Sequence, residues 1–500
     1  MSQFTKKTRH AVTRLVPVVV ALLLALPGFA AVPGITSNPA QGATSTFNLT
    51  ASADYISQPD GAMIWSWGYG CSQSSSPVFA PFSGNCPLMQ LPGPTLVVSE
   101  GQAVSVTLTN SLPAGAGNTS ILFPGFQVTT SGGVAGFQTQ EAAPGGSVTY
   151  TFTAVNPGTY SYYSGTRPEL QIEMGLYGAV VVVPSAAQGN CRSKGPYSLA
   201  ANAYDHPESC YDREYLFQFS EMDARIHRQA LAQSSACMTA LAGGQTCTPI
   251  TVATEPYHPQ YFLINGRSMP DDMDADYAPG YPHQPYNGNP HMHPGELLLM
   301  RVVGQGRWQH PFHFHGNHAR VLGRDGSLIV SSTADPAFPS APALAGPLLF
   351  TIPTVSGQTV DAIFTWTGQG LNWDVYGLTN PHTCNGIPAT AANPQSAGFD
   401  PVTHEYCPDH GKAMPVTPPD SNIVANGLWY GGTPYMGLQS NNPTPLPPGS
   451  TSATQNENGA YAYMWHSHNE REITTNDVFP GGMMMMLIID SPGSSIDETQ

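Results

Sequence analysis

Apolar residues in this 500-residue chain recur at every second position, in short runs separated by glycine and proline. Residues 96–98 are apolar, a Ser99-Glu100-Gly101-Gln102 turn follows, and Val104, Val106 and Leu108 then alternate with polar residues. A side-chain period of two puts one face of a strand in a core and the other in water, so this stretch predicts a half-buried hairpin. Strands are also expected at 147–154 and 159–164, and residues 178–183 form an unbroken apolar run suited to a sandwich core. The same signals return at 261–264, 296–303, 319–323, 348–352, 360–366, 461–468 and 483–489. One short helix is expected over 225–241, with Asp223 as its cap. Gly (51), Pro (48) and a charged fraction of only 10% fit a turn-rich β protein better than a helical one.

Five hundred residues exceed what one core usually organises. The pattern divides into a first β-sandwich at 46–190 and a second at 210–368 plus 459–492. Between the two parts of the second lies a loop-rich insertion, 369–458, abundant in Gly, Pro, Asn and Thr. The formal net charge of −16 argues against nucleic acid or an anionic membrane surface as partner. Residues 1–30 read as a signal peptide: Lys6, Lys7, Arg9 and Arg14 precede an apolar run that ends before Gly28-Phe29-Ala30. A leader at 31–45 follows, and no stretch is long enough for an integral membrane segment. Export to a periplasmic or extracellular space is the expectation. The eight cysteines suit it, with Cys71 and Cys86, Cys191 and Cys210, Cys237 and Cys247, and Cys384 and Cys407 as near neighbours to be bridged. That pairing is one of 105 possible connectivities.

The histidines are clustered. His310-Pro311-Phe312-His313-Phe314-His315-Gly316 and His466-Ser467-His468 lie near expected strand ends. Residues two apart in a strand share a face, so His313 and His315 aim at one point, as do His466 and His468. His310 and Ser467 have the opposite parity. Two such pairs imply one four-imidazole metal site, and neutral imidazoles favour Cu(II), with Zn(II) or Ni(II) as alternatives. The same residues admit another reading, a relic cluster whose histidines bond only one another. Glu470 and Glu472 read as solvated charges, Met483–Met486 as strand core, and His291-Met292-His293 as part of a surface loop.

HPFHFHG resembles a signature of the multicopper oxidase family, and MWHSHNERE resembles its HCH segment with serine in place of cysteine. PGPTLVVSEGQAVSVTLTNSLP, GTYSYYSG with GLYGAVVVVP, and YFLINGRSMPDD resemble other landmarks of the family. The resemblance covers most of 45–370 and 459–490 and implies an all-β protein of two cupredoxin-like Greek-key β-sandwich domains. It implies bound copper, and a homo-oligomer that is trimeric in two-domain members. By the same resemblance, the first-domain copper ligands fall at Leu122, Pro124, Tyr163 and Gly165, none of which is a competent ligand. The blue (type 1) copper cysteine falls at Ser467 and its second histidine at Glu472, leaving His310 as a remnant. A serine hydroxyl is hard and protonated near neutral pH, so it does not replace the soft thiolate.

The expectation is therefore an exported copper-binding protein with fewer than the family's four ions. A reduced histidine centre, without blue copper, would carry any oxidoreductase activity. The alternative is a non-enzymatic copper-binding, structural or assembly protein on the same scaffold.

Overall fold

The computed structural model describes residues 32–36, 44–72, 77–80, 83–186, 188, 191, 202–371, 398–400, 404–409, 432–433, 461–490 and 495–496. The expected signal peptide, most of the leader, most of the 369–458 insertion and Cys384 lie outside the described residues.

The fold is all-β and cupredoxin-like. The first sandwich faces two sheets together. One orders Gly158–Tyr163, Tyr177–Val183, Leu96–Ser99, Gly34–Thr36 and Val78–Ala80, and the other orders Met63–Cys71, Ser45–Ser57, Ala103–Asn110, Ser147–Thr153 and Thr129–Gly132. Their inner faces enclose Leu49, Trp67, Leu108, Tyr150, Tyr162 and Val180.

The hairpin expected across 96–108 does not form, although both strands do. Leu96–Ser99 pairs parallel with Tyr177–Val183 in one sheet, whereas Ala103–Asn110 pairs with Ser147–Thr153 in the other. Their burial explains the split. Leu96, Val97 and Val98 are all buried, which needs neighbours on both faces, while Ala103–Asn110 alternates strictly. Gly101, at a φ of +76°, carries the chain from one sheet to the other.

In the second sandwich, one sheet orders Tyr261–Ile264, Arg213–Met222, Leu297–Gly304, Thr359–Thr365, Ala319–Arg324 and Ser327–Leu328. Opposite it, the sheet that holds the histidine motifs orders His291–Met292, Met484–Ile489, Tyr461–Ser467, His310–Phe314 and Thr351–Thr354. The core between them is aromatic, with Phe217, Phe312, Phe314, Trp366, Tyr463 and Trp465. Each such side chain, fully buried, contributes roughly 1.5–3 kcal/mol. The Met483–Met486 run lies in or beside a buried strand, as expected of core. His291-Met292 differs from expectation: it is a short buried strand paired with Met484–Ile489, not a surface loop.

Helix Ala224–Ala242 starts where expected, with Asp223 Oδ1 accepting from the Arg225 amide at 2.9 Å. Ile226 and Ala230 on this helix join the core of the first sandwich, together with Ile250 and Val252. A segment that follows the first sandwich in sequence thus packs back onto it. A buried polar knot adds a second tie. Arg301 pairs with Glu214 and Asp361, and Asp361 accepts from the Thr159 amide (3.1 Å) and the Tyr204 hydroxyl (2.6 Å). Arg301 is buried between two buried carboxylates, so removing it would leave uncompensated buried charge.

Cys71–Cys86, Cys191–Cys210 and Cys237–Cys247 are bridged as expected. Cys407 is also in a disulfide, and its expected partner Cys384 lies outside the described residues. No helix among the described residues is long and apolar enough to cross a membrane.

Candidate metal centre

The histidine motifs meet through strand register. His310–Phe314 runs antiparallel to Tyr461–Ser467 and pairs Phe312 with Ser467, His313 with His466, and Phe314 with Trp465. Phe312, Phe314, Tyr463 and Trp465 point into the aromatic core, so the period of two sends His313 and His466 to the opposite face. His315 lies just past its strand end and is held there by its amide, which donates to the Met464 carbonyl at 3.3 Å. Trp465 Nε1 donates to the His315 carbonyl at 3.1 Å, tying that turn to the core. Gly316 follows at a φ of +103°, and a Cβ there would sit 3.3 Å from the Tyr463 ring.

The candidate ligand atoms of His313, His315 and His466 all lie within 4.8 Å of one another, and the three residues are buried. His315 Nε2 and His466 Nε2 approach to 3.3 Å. Two nitrogens about 2 Å from one ion would be separated by about this distance. The His466 Nδ1–H donates to the Ser467 carbonyl at 2.7 Å, which fixes the tautomer and leaves the Nε2 lone pair for a ligand. His313 Nδ1 lies 2.8 Å from Thr351 Oγ1, so its Nε2 is the nitrogen left for the centre. Burial, and then the neighbouring His466 and His468 rings, hold His313 down to about 4. Burial likewise lowers His466, against the pull of the Ser467 carbonyl. Both rings are therefore neutral at neutral pH, the state a metal ligand requires. Three buried, convergent imidazoles are a donor set that fits a divalent transition metal such as copper.

His468 stands apart from the group of three. Its ring centroid lies 4.8 Å from that of His313, but the side chain is 47% exposed and turns to Glu470, 3.6 Å away. Strand Tyr461–Ser467 ends one residue earlier, although the His468 amide still donates to the Pro311 carbonyl at 2.8 Å. At the mouth of the group, the half-exposed Phe350 ring packs on both His313 and His318.

The first-sandwich positions Leu122, Pro124, Tyr163 and Gly165 form a local patch of their own. Leu122 and Tyr163 face each other in an isolated bridge, and a Cβ on Gly165 would sit 2.8 Å from Leu122 Cγ. Pro124 lines a cleft with Tyr160, Ser356 and Gly357.

His310 and Ser467 share the parity of the core aromatics and point inward, where they meet two carboxylates. His310 Nε2 is 2.9 Å from Glu221 Oε2, and His310 Nδ1 is 2.9 Å from Glu472 Oε2. Ser467 Oγ donates to Glu472 Oε2, and Asn469 Nδ2 donates to Glu472 Oε1 at 2.9 Å. Glu472, expected in solvent, is only 1% exposed. Glu470 is the solvated charge expected of it, at 82% side-chain exposure. Glu221 stands in a strand more than eighty residues away, with no motif around it, so sequence reasoning had no signal for it.

Comparison with known proteins agrees with the motif resemblance. Two family models, both described as multicopper oxidase, match residues 89–187 and 253–347. The chain is 30% identical over 185 residues to the multicopper oxidase VdtB of Byssochlamys spectabilis, covering 35% of this chain and 26% of that protein. It is 37% identical over 98 residues to the laccase abr2 of Aspergillus fumigatus, covering 19% of this chain and 16% of the other. The matched stretch is thus about a quarter or less of the length of these relatives. Among solved structures, the multicopper oxidase mgLAC superposes with a TM-score of 0.47 at 16% identity, over 91% of this chain and 88% of the other.

Proposed function

Because this chain is a member of the multicopper oxidase family, we propose that it is an exported copper-binding oxidoreductase working at a histidine-only centre of His313, His315 and His466. The observation that carries this reading is the 3.3 Å approach of His315 Nε2 to His466 Nε2, with His313 completing a group inside 4.8 Å. A packing or relic role gives no reason for three ring nitrogens to converge while the remaining ring nitrogens of His313 and His466 are held by Thr351 and Ser467. The disulfides and the charged run before an apolar segment at the N-terminus support export.

Copper bound at this centre supplies one-electron exchange and Lewis-acid polarisation of an oxygen ligand. The chain's own residues do the rest. His313, His315 and His466 would hold the ion with three imidazoles rather than four, the donor count expected of a reactive rather than a structural site. His468 and Glu470 stand at the exposed rim, 3.6 Å apart. The Phe350 ring packs on both His313 and His318 beside the group. With no thiolate site to gather electrons, the reductant must reach the imidazoles directly, which favours a metal ion or another small donor over a bulky phenol.

A second reading is supported by the first-sandwich patch. Leu122, Pro124, Tyr163 and Gly165 supply no ligands, so a protein that holds copper without turnover, for sequestration or assembly, is the competing function. Copper content per chain, together with oxygen uptake using ferrous, cuprous or manganous donors, separates the two. Stoichiometric copper with uptake that disappears in His313→Ala supports the oxidoreductase. Copper without uptake supports the holding protein, and less than about 0.2 copper per chain, unchanged in His313→Ala/His466→Ala, rejects the centre.

A further inference from the structure

The place where a blue copper ion would sit has a donor set that does not fit one. A type 1 ion needs a thiolate and a histidine nitrogen with a free lone pair. Here the nearest candidates are the Ser467 hydroxyl, which is spent as a donor to Glu472, and the His310 ring, whose two nitrogens each face a carboxylate oxygen at 2.9 Å. A neutral imidazole has one donor and one acceptor nitrogen, and an acceptor nitrogen would repel a carboxylate oxygen. Only the imidazolium offers two donors. With an ionised carboxylate facing each ring nitrogen, the geometry favours a doubly protonated, positively charged His310.

Hydrogen bonds continue from this triad across the molecule. Glu221 Oε1 accepts from the amides of Arg307 (2.8 Å) and Trp308 (2.9 Å), and the Tyr257 hydroxyl lies 3.1 Å from it. The same hydroxyl lies 2.6 Å from Glu173 Oε2, and Glu173 Oε1 accepts from the Asp223 amide at 2.7 Å. Beyond Glu173, His227 lies 3.1 Å from the Glu173 carbonyl through Nε2 and 2.7 Å from the Trp65 carbonyl through Nδ1. Trp65 and Glu173 belong to the first sandwich, while Glu221, His310 and Glu472 belong to the second. The Arg307 guanidinium lies over the Tyr257 ring, 4.1 Å from its centroid, and adds a cation beside this row of acids. All five members from Glu472 to Glu173 are buried.

We infer that the vacated electron-entry site has been rebuilt as a metal-free ionic anchor, in which the His310 imidazolium between Glu221 and Glu472 holds the two sandwiches together through Tyr257 and Glu173. The positive charge of a copper ion is replaced by that of a ring proton. The substitutions at Ser467 and Glu472 form a matched pair, because the serine donates to the same carboxylate that faces His310. Restoring the cysteine alone leaves the ring nitrogens occupied.

Two measurements on the full-length protein test this. In Ser467→Cys loaded with Cu(II), no intense band near ~600 nm is expected, since His310 still has no lone pair to give; a blue Ser467→Cys protein would overturn the metal-free assignment. Because that variant could fail to fold, the wild type is examined as well, by the nitrogen-15 shifts of its histidine rings at pH 7. One ring with both nitrogens protonated, lost in His310→Asn, is the expected result; a His310 ring with a bare nitrogen would overturn it. The anchor itself is read by hydrogen exchange. Glu472→Gln should raise exchange at least tenfold in helix Ala224–Ala242 and around Tyr257, and unchanged exchange there would remove the anchoring role while leaving the copper centre of His313, His315 and His466 untouched.

Discussion

His310 Nε2 and Glu221 Oε2 lie 2.9 Å apart with both side chains wholly withdrawn from solvent, one contributed by each sheet of the second sandwich. Burial alone would push the imidazole toward neutrality. Glu221 and Glu472 outweigh it and raise His310 to about 9. A buried pair of this kind strongly resists the removal of either partner.

The first prediction is that stability falls as pH rises from about 6.5 to about 9. His310 binds its proton more tightly when folded than when unfolded, so its contribution is complete below the unfolded value near 6.5 and is lost as pH passes through about 9. Glu173 acts in the same direction: burial, opposed by the Tyr257 and Asp223 hydrogen bonds, raises it to about 8, so deprotonation costs the folded state more than the unfolded. The His310 contribution is on the order of 3 kcal/mol. Urea unfolding at pH 6.5 and 9 checks this, and equal midpoints would contradict it.

Metal affinity should separate three histidines from the fourth. His313→Ala and His466→Ala each remove a buried nitrogen of the group and are expected to weaken Cu(II) binding by about 100-fold or more. His468→Ala, at an exposed position turned to Glu470, should cost less than about tenfold. Competition with a chelator measures all three. Equal losses at 468 and 466 would restore a four-imidazole site.

Copper should stay bound well into acid. Burial and the adjacent rings hold His313 down to about 4, and burial lowers His466, so protons compete poorly until well below the ordinary imidazole range. Copper retained after dialysis is expected to fall between about pH 5 and pH 4. A midpoint near the ordinary imidazole value of about 6.5 would show that these rings are solvated.

Thr351→Val tests how the site is oriented. Thr351 Oγ1 sits 2.8 Å from His313 Nδ1, and losing that partner frees the ring and its tautomer. A drop in copper affinity of about 10- to 100-fold is expected, with little change in folding. Unchanged affinity, measured alongside a melting curve, would make Thr351 a bystander.

The β-architecture, the strand faces and the helix cap were legible in the sequence, because each rests on local periodicity or on one side chain bonding a nearby amide. Strand Tyr261–Ile264 and helix Ala224–Ala242 lie within a residue of the ranges read from the sequence. Parity also separated His313 and His466 from His310 and Ser467, since residues of opposite parity cannot share a face. Other features are decided only by tertiary structure. Leu96–Ser99 and Ala103–Asn110 are adjacent in sequence yet pair in different sheets, because pairing depends on which distant strand covers each face. Parity could not say that strand Tyr461–Ser467 would stop before His468 and release it to solvent. Nor could it place Glu221 and Glu472 against His310. Those contacts span many residues, and only the closing of the sandwich turned Glu472, which local sequence reads as solvated, and Glu221, which it does not mark, into partners of a buried imidazole.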